Sequence, residues 1–166
     1  MTDSGLTSQD RFALADLVAR YAHAVDGRDL QGVVACFAPK GRLEFASSGI
    51  VLDGRAAIEE FFGKAFSGSM LGGSAVSTHL MGNTMVTRVE PAGASTVTSA
   101  VAYLATSGVV EHAGTVTGRV VVRGLTYTDR CGRIDGRWFI LDRVHRLHWQ
   151  GEMPGGPESV DPLRPR

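Results

Sequence analysis

The sequence predicts an α+β domain, with helices gathered on one face of a mainly antiparallel sheet. Two observations carry this. Three amphipathic segments fill the first 66 residues, and four long stretches rich in Val, Thr and aromatic residues follow them. A third is the Ile134-Asp135-Gly136 turn between the last two stretches, a strong hairpin signal.

The first helix is announced by Thr7 and Asp10, a capping-box pattern. Phe12, Leu14, Leu17, Val18, Tyr21 and Val25 then recur at helical spacing, which predicts a helix over Ser8 to Val25. Gly27 is expected to end it as a left-handed residue. Asp29 reads as the N-cap of a short second helix, Leu30 to Ala38, with Val33, Val34 and Phe37 inward and Pro39 as its stop. Leu43 to Phe45 and Ile50 to Leu52 flank Ser47-Ser48-Gly49 as a short hairpin. Asp53 reads as the cap of a third helix, whose buried face is Ile58, Phe61, Phe62, Ala65 and Phe66. Ser67 to Ser74 has few bulky groups and reads as a loop, mobile enough to gate a pocket.

The predicted strands are Val76 to Glu90, Ser95 to Ser107, Val109 to Arg130 and Arg137 to Trp149. Pro91-Ala92-Gly93 separates the first pair, and Gly118 and Gly124 predict bulges in a strongly curved sheet. From Gly151 onward the chain holds four of its six prolines. The expected organisation is a flexible start over 1–7, one domain over 8–150 and an extended tail over 151–166.

Composition bounds the function classes. The 166 residues are 43% hydrophobic and 20% charged, which suits one folded domain with a sizeable core. Seventeen basic residues balance seventeen acidic ones, and no block of like charge stands out. Nothing there suggests a nucleic-acid partner or an anionic membrane. No apolar run reaches the ~20 residues that a membrane span needs. The N-terminus is polar, without the apolar core of a secretory signal, so the expected location is cytoplasmic. Cys36 and Cys131 belong to no CxxC pattern and read as two reduced thiols.

The order of the elements carries a set of local motifs. They are Arg20-Tyr21-Ala22-His23-Ala24-Val25-Asp26, Gly27-x-Asp29, Phe37-Ala38, Asp53-Gly54-Arg55-x-x-Ile58, Thr78-His79-x-x-x-Asn83 and Asp135-Gly136-x-Trp138. In this order the chain resembles the SnoaL-like branch of the nuclear transport factor two-like superfamily, from about Gln9 to Trp149. The resemblance implies a cone-shaped roll, in which a curved sheet wraps the first helix and leaves a pocket at its open end. It implies no cofactor. Members include dehydratases, isomerases, dehydrochlorinases, polyketide-type cyclases and plain binding modules, so the fold alone does not fix the activity.

Asp26 and His79 fall where the resemblance places an Asp–His dyad. A carboxylate holds an imidazole in one tautomer and stabilises its protonated form, which suits general acid–base work. The alternatives are a turn-capping Asp26 and a satisfied core His79. Arg143 matches an arginine that steadies a leaving anion, and by strand alternation it faces away from Trp138, with Phe139 and Leu141. Its alternative is a structural salt bridge with Asp26 or Glu44. Tyr21 reads either as a donor to a substrate carbonyl or as a core aromatic. Asn83 shares strand parity with His79 and could orient a ligand. Phe12, Leu17, Phe61, Phe62 and Leu141 complete an expected apolar lining, which favours a small cyclic or polycyclic apolar substrate.

The resemblance also leaves gaps. Val25 stands where the dehydratases have a tyrosine, and Val121 or Val122 falls near their second histidine. Phe45 and Gly124 occupy the places of the ketosteroid isomerase base and acid. No metal site is expected: His145 and His148, three apart on a strand, point to opposite faces. No glycine-rich loop opens a helix after a strand, so a nucleotide phosphate site is not expected.

The predicted activity is that of a cofactor-independent lyase, a dehydratase working through Asp26 and His79. Isomerisation, ring closure and simple ligand binding are the alternatives. Consecutive Trp138, Phe139, Ile140 and Leu141 make both sheet faces apolar and predict a homodimer or larger homo-oligomer.

Overall fold

The computed structural model describes residues 5–67, 76–90, 93–112 and 115–154. The elements run α1 (Ser8–Asp26), α2 (Leu30–Ala35), β1 (Phe37–Phe45), β2 (Ile50–Asp53), α3 (Gly54–Phe66), β3 (Val76–Glu90), β4 (Gly93–His112), β5 (Thr115–Ile134) and β6 (Arg137–Pro154). The predicted 67–74 loop, beyond Ser67, lies outside the described residues, as does the chain from 155.

The capping box forms as read. The Asp10 N–H donates to Thr7 Oγ1 at 3.1 Å, and the Thr7 N–H donates back to the Asp10 carboxylate at 3.1 Å. Asp10 also accepts from Trp138 Nε1 at 3.1 Å and from Arg133. One carboxylate therefore caps α1 and pins it to the sheet. Its pKa lies below the usual value, chiefly through the Thr7 hydroxyl. At the other end Gly27 is right-handed (φ −79°), and Arg28 takes the left-handed position instead (φ 53°).

α2 stops at Ala35, short of the expected Ala38. The Ile140 N–H donates to the Cys36 carbonyl at 2.9 Å, and Phe37 already pairs with Ile140. Pairing with β6 thus takes the segment out of the helix. Pro39 lies inside β1, where the register is interrupted between Phe37 and Arg42. Its missing N–H is tolerated at such a break. Asp53 occupies the N-cap position of α3 but makes no side-chain cap; it lies 3.8 Å from Arg42 instead. Arg55 holds the start of α3, donating to the Phe37 carbonyl at 2.9 and 2.6 Å.

The six strands form one sheet in the order β2-β1-β6-β5-β4-β3. β1 and β6 are parallel and every other neighbour is antiparallel. The expected break near Ser107 is absent. β4 bulges between Thr106 and Val109, opposite Arg119 and Gly118, and continues to His112. Gly151 to Pro154, expected in the tail, pair with Val122 to Arg119. Between β5 and β6, Asp135 (φ 49°) and Gly136 (φ 78°) supply the two left-handed residues of the predicted hairpin turn.

Bulges decide which side chains face inward. Arg130 pairs with Asp142 and Cys131 with Ile140, so Leu141 is an extra residue on β6. The extra residue reverses the alternation. Arg143 therefore looks to the same concave face as Ile140 and Trp138, contrary to the parity expected from sequence, and all three are buried. That face packs on Leu14, Leu17 and Tyr21 of α1 and on Ile58 and Phe62 of α3. No helix among the described residues is long and apolar enough to cross a membrane.

Candidate functional site

Asp26 is the last residue of α1, and α1 packs on β3. This places its carboxylate against the first rungs of that strand. Asp26 Oδ1 lies 2.6 Å from His79 Nδ1, and Oδ2 accepts the His79 backbone N–H at 2.7 Å. The Ser77 hydroxyl donates to Oδ1 at 2.9 Å. The carboxylate thus grips both the ring and the backbone of one histidine. Burial works to raise the Asp26 pKa, but the His79 and Ser77 hydrogen bonds outweigh it and hold it below the usual range. A charged carboxylate selects the tautomer with hydrogen on Nδ1 and leaves Nε2 basic. The pair is mostly buried yet not sealed, with side chains 10% (His79) and 20% (Asp26) exposed.

His79 lines a cavity of about 230 Å³. Cross-strand register explains its walls, since residues paired directly across strands share a face. His79 pairs with Ala102 on β4 and Ala102 with Arg123 on β5. The next rungs bring Leu125 opposite Ala100, then Tyr127 opposite His145, with His145 paired to Phe45. Val25, Phe61, Phe62 and Phe66 close the helical side, with Arg28 and Ser77 at the cavity margin. Aromatic contacts knit these walls: Phe45 to Phe61 at 5.0 Å, Phe45 to His145 at 5.2 Å and Tyr127 to His145 at 5.4 Å between centroids.

Below the cavity floor sits a second ion pair. Arg143 Nε and Nη2 donate to Asp129 at 2.7 and 2.6 Å, and neither side chain has any solvent exposure. The guanidinium lies 4.1 Å from the Tyr21 ring centre and 4.5 Å from that of Tyr127. Burial alone would favour the neutral guanidine; the Asp129 carboxylate overrides it and keeps the cation. Burial raises the Tyr21 phenol to about 12, so it stays protonated and able to donate. Burial lowers His145 to about 4, with Arg123, His79 and Arg143 adding to the effect, so this imidazole is neutral at pH 7.

The structure brings together Asp26, His79, Tyr21, Phe61 and Phe62, and it moves the others away. Arg143 is not on the cavity wall, because Asp129 holds it beneath Tyr21 and Tyr127. Phe12 is 76% exposed. At 100° per residue it sits on the helix face opposite Leu14 and Tyr21. Leu17 is buried in the core and does not line the cavity. Asn83 is exposed at a bulge with φ 50°, which turns it away from the parity of His79. Leu141, the extra residue of β6, leans over Gly132 and not into the cavity. His145 and His148 do face oppositely: His145 lines the cavity, while His148 bonds Thr126 at 2.9 Å.

Sequence reasoning missed Ser77, Arg123, Tyr127 and His145 as wall residues. Parity with His79 would have found Ser77, and parity with Arg143 would have found His145. Among the described residues no three His, Cys, Asp or Glu side chains group to hold a metal. Cys36 and Cys131 are both buried and unpaired.

The SnoaL-like domain model matches residues 7–144. A steroid Δ-isomerase from Nocardioides simplex is 42% identical over 64 residues, 39% of this chain and 47% of that protein; the match spans about half its length. A hexachlorocyclohexane dehydrochlorinase (LinA, type 2) superposes with a TM-score of 0.72 at 12% identity, over 93% of this chain and 96% of its own. A candidate scytalone dehydratase from Novosphingobium aromaticivorans superposes at 0.71 with 17% identity, over 100% and 99% of the two chains. At such identities the structures establish the shared fold.

Proposed function

The chain belongs to the SnoaL-like domain family, and on that premise we propose that it is a cofactor-independent lyase, a dehydratase of a small cyclic or polycyclic substrate. The observation that supports this best is the Asp26 grip on His79 beside an apolar cavity. His79 Nε2 removes a proton from a carbon next to a carbonyl. The electron pair left behind forms the new C=C bond as the C–O bond to a neighbouring hydroxyl breaks. The imidazolium, steadied by Asp26, returns the proton to the departing oxygen, so water leaves and the enzyme is restored. Tyr21, a protonated phenol on the cavity wall, donates to the carbonyl oxygen as charge builds there. Arg143 acts from beneath, its cation against the Tyr21 and Tyr127 rings, and positions the phenols without touching substrate.

Isomerisation is the second reading, favoured by the 64-residue likeness to a steroid isomerase. The same base would take a proton from the carbon between the carbonyl and the C=C of a β,γ-unsaturated ketone and return it to the γ-carbon, shifting the double bond into conjugation with no loss of water. Turnover of cyclic β-hydroxy ketones and of β,γ-unsaturated ketones separates the two. His79→Ala and Asp26→Asn should each lower turnover by orders of magnitude in a folded protein. Near-normal rates in both folded variants would remove the pair from the mechanism.

A further inference from the structure

Around the cavity, β5 and β6 place Arg123 on its wall and Arg143 beneath its floor, and of these two only Arg143 has a carboxylate partner among the described residues. Arg143 is matched by Asp129 in a two-pronged ion pair. Arg123, on the cavity wall, donates through Nε to the neutral amide oxygen of Gln150 at 2.8 Å. Among the described residues it has no carboxylate partner, and its two terminal nitrogens make no hydrogen bond. Arg123 is half-buried beside Leu104 and Leu125 and its Gln150 bond is exposed, so its outer nitrogens face solvent that an incoming anion can displace. The Gln150 contact fixes the plane of the guanidinium and leaves its outer edge for a two-pronged partner, the geometry a carboxylate satisfies.

Register sets where that partner would lie. Arg123 and His79 flank Ala102 on one rung. Neighbouring strands are about 4.8 Å apart, so their backbones are separated by about 10 Å. The methyl group of Ala102 leaves the space between them open to a ring. Tyr127 and His145, deeper on the floor, are neutral and do not compete for an anion.

We propose that Arg123 is an anion-binding subsite facing His79, and that the substrate is an apolar ring system carrying a carboxylate. This rests on the same cavity as the dehydratase reading and narrows it: the ring packs on the aromatic wall, and the carboxylate fixes which carbon meets the imidazole.

The test is binding, independent of turnover. The full chain is titrated with 2-naphthoate and with 2-naphthamide, a neutral compound of nearly the same shape, by calorimetry. The native protein should prefer naphthoate by about tenfold or more. Arg123→Gln should bring the ratio near one with naphthamide affinity unchanged. Arg123→Lys should keep part of the preference, since it retains charge without the fork, and it decides the matter if the glutamine variant does not fold. No naphthoate preference in the native chain, or an unchanged ratio in Arg123→Gln, overturns the proposal. His79→Ala should keep the preference while losing turnover. Full turnover in that variant with the preference intact would sink the dehydratase reading and leave the subsite standing.

Discussion

The cavity region carries two carboxylate–nitrogen pairs a few rungs apart, Asp129 with Arg143 at the base and Asp26 with His79 beside the cavity. Both use a carboxylate oxygen at 2.6 Å from a nitrogen. They differ in exposure, 0% for both partners at the base against 10% and 20% at the cavity. They differ also in the base chosen. A guanidinium does not give up its proton in a protein, and this one is fully buried off the cavity wall, so the lower pair sets structure and field. An imidazole exchanges a proton near neutral pH, and its ring borders the cavity. Similar geometry thus serves architecture in one place and suits chemistry in the other, and burial with proton lability separates them.

The sharpest way to break this contrast is to remove each partner in turn. His79→Ala should cut turnover by about 10²- to 10⁴-fold with little change in melting temperature. Asp129→Ala should do the reverse first: it strands a buried guanidinium and should cost about 3–5 kcal/mol in urea unfolding. The double replacement Asp129→Leu with Arg143→Met should cost less than Asp129→Ala alone, because no orphan charge remains. A double variant at least as unstable would show that the lower pair contributes more than charge balance.

His145 sharpens the same point through pH. Its folded pKa of about 4 lies below its ordinary 6.5, so the unfolded chain binds this proton first. Its contribution to stability is full above about 6.5 and is lost as pH falls toward 4, by up to on the order of 3 kcal/mol. Chemical unfolding across that window should show the slope, and His145→Phe should flatten it. The smallest effect is expected outside the cavity. A Cβ at Gly124 would lie 2.1 Å from the Trp149 ring. Gly124→Ala should displace that exposed side chain at a cost of about 1 kcal/mol, with turnover unchanged.

Much of this was legible in the chain because periodicity reports burial directly. The stripe from Leu14 to Tyr21 and the capping box at Thr7 located α1, and Asp135-Gly136 located the last hairpin. The Asp26–His79 contact followed from the resemblance, since residues 53 apart cannot be paired by spacing alone. What failed was alternation along β6 and β3. One extra residue at Leu141 and another near Asn83 reversed the faces of their neighbours; Leu141 has no glycine beside it, and Gly82, beside Asn83, was not read as a bulge signal. The partner of Arg143 was misjudged for the same reason: with its face inverted, it met Asp129 and not Asp26 or Glu44. No Asn-Gly or Asp-Gly pair follows His112 in the sequence, so the end of β4 gave no strong local signal.

The two tryptophans sit at opposite extremes of this architecture. Trp138 is 8% exposed with its indole N–H held by Asp10, while Trp149 is 53% exposed on the outer face. Intrinsic emission should therefore resolve into a blue component that reports the α1–sheet junction and a red one that reports the convex surface. Self-association through that surface would shift the red component alone and protect it from an aqueous quencher. Unfolding would move the blue one, so a single spectrum distinguishes loss of the fold from assembly of copies.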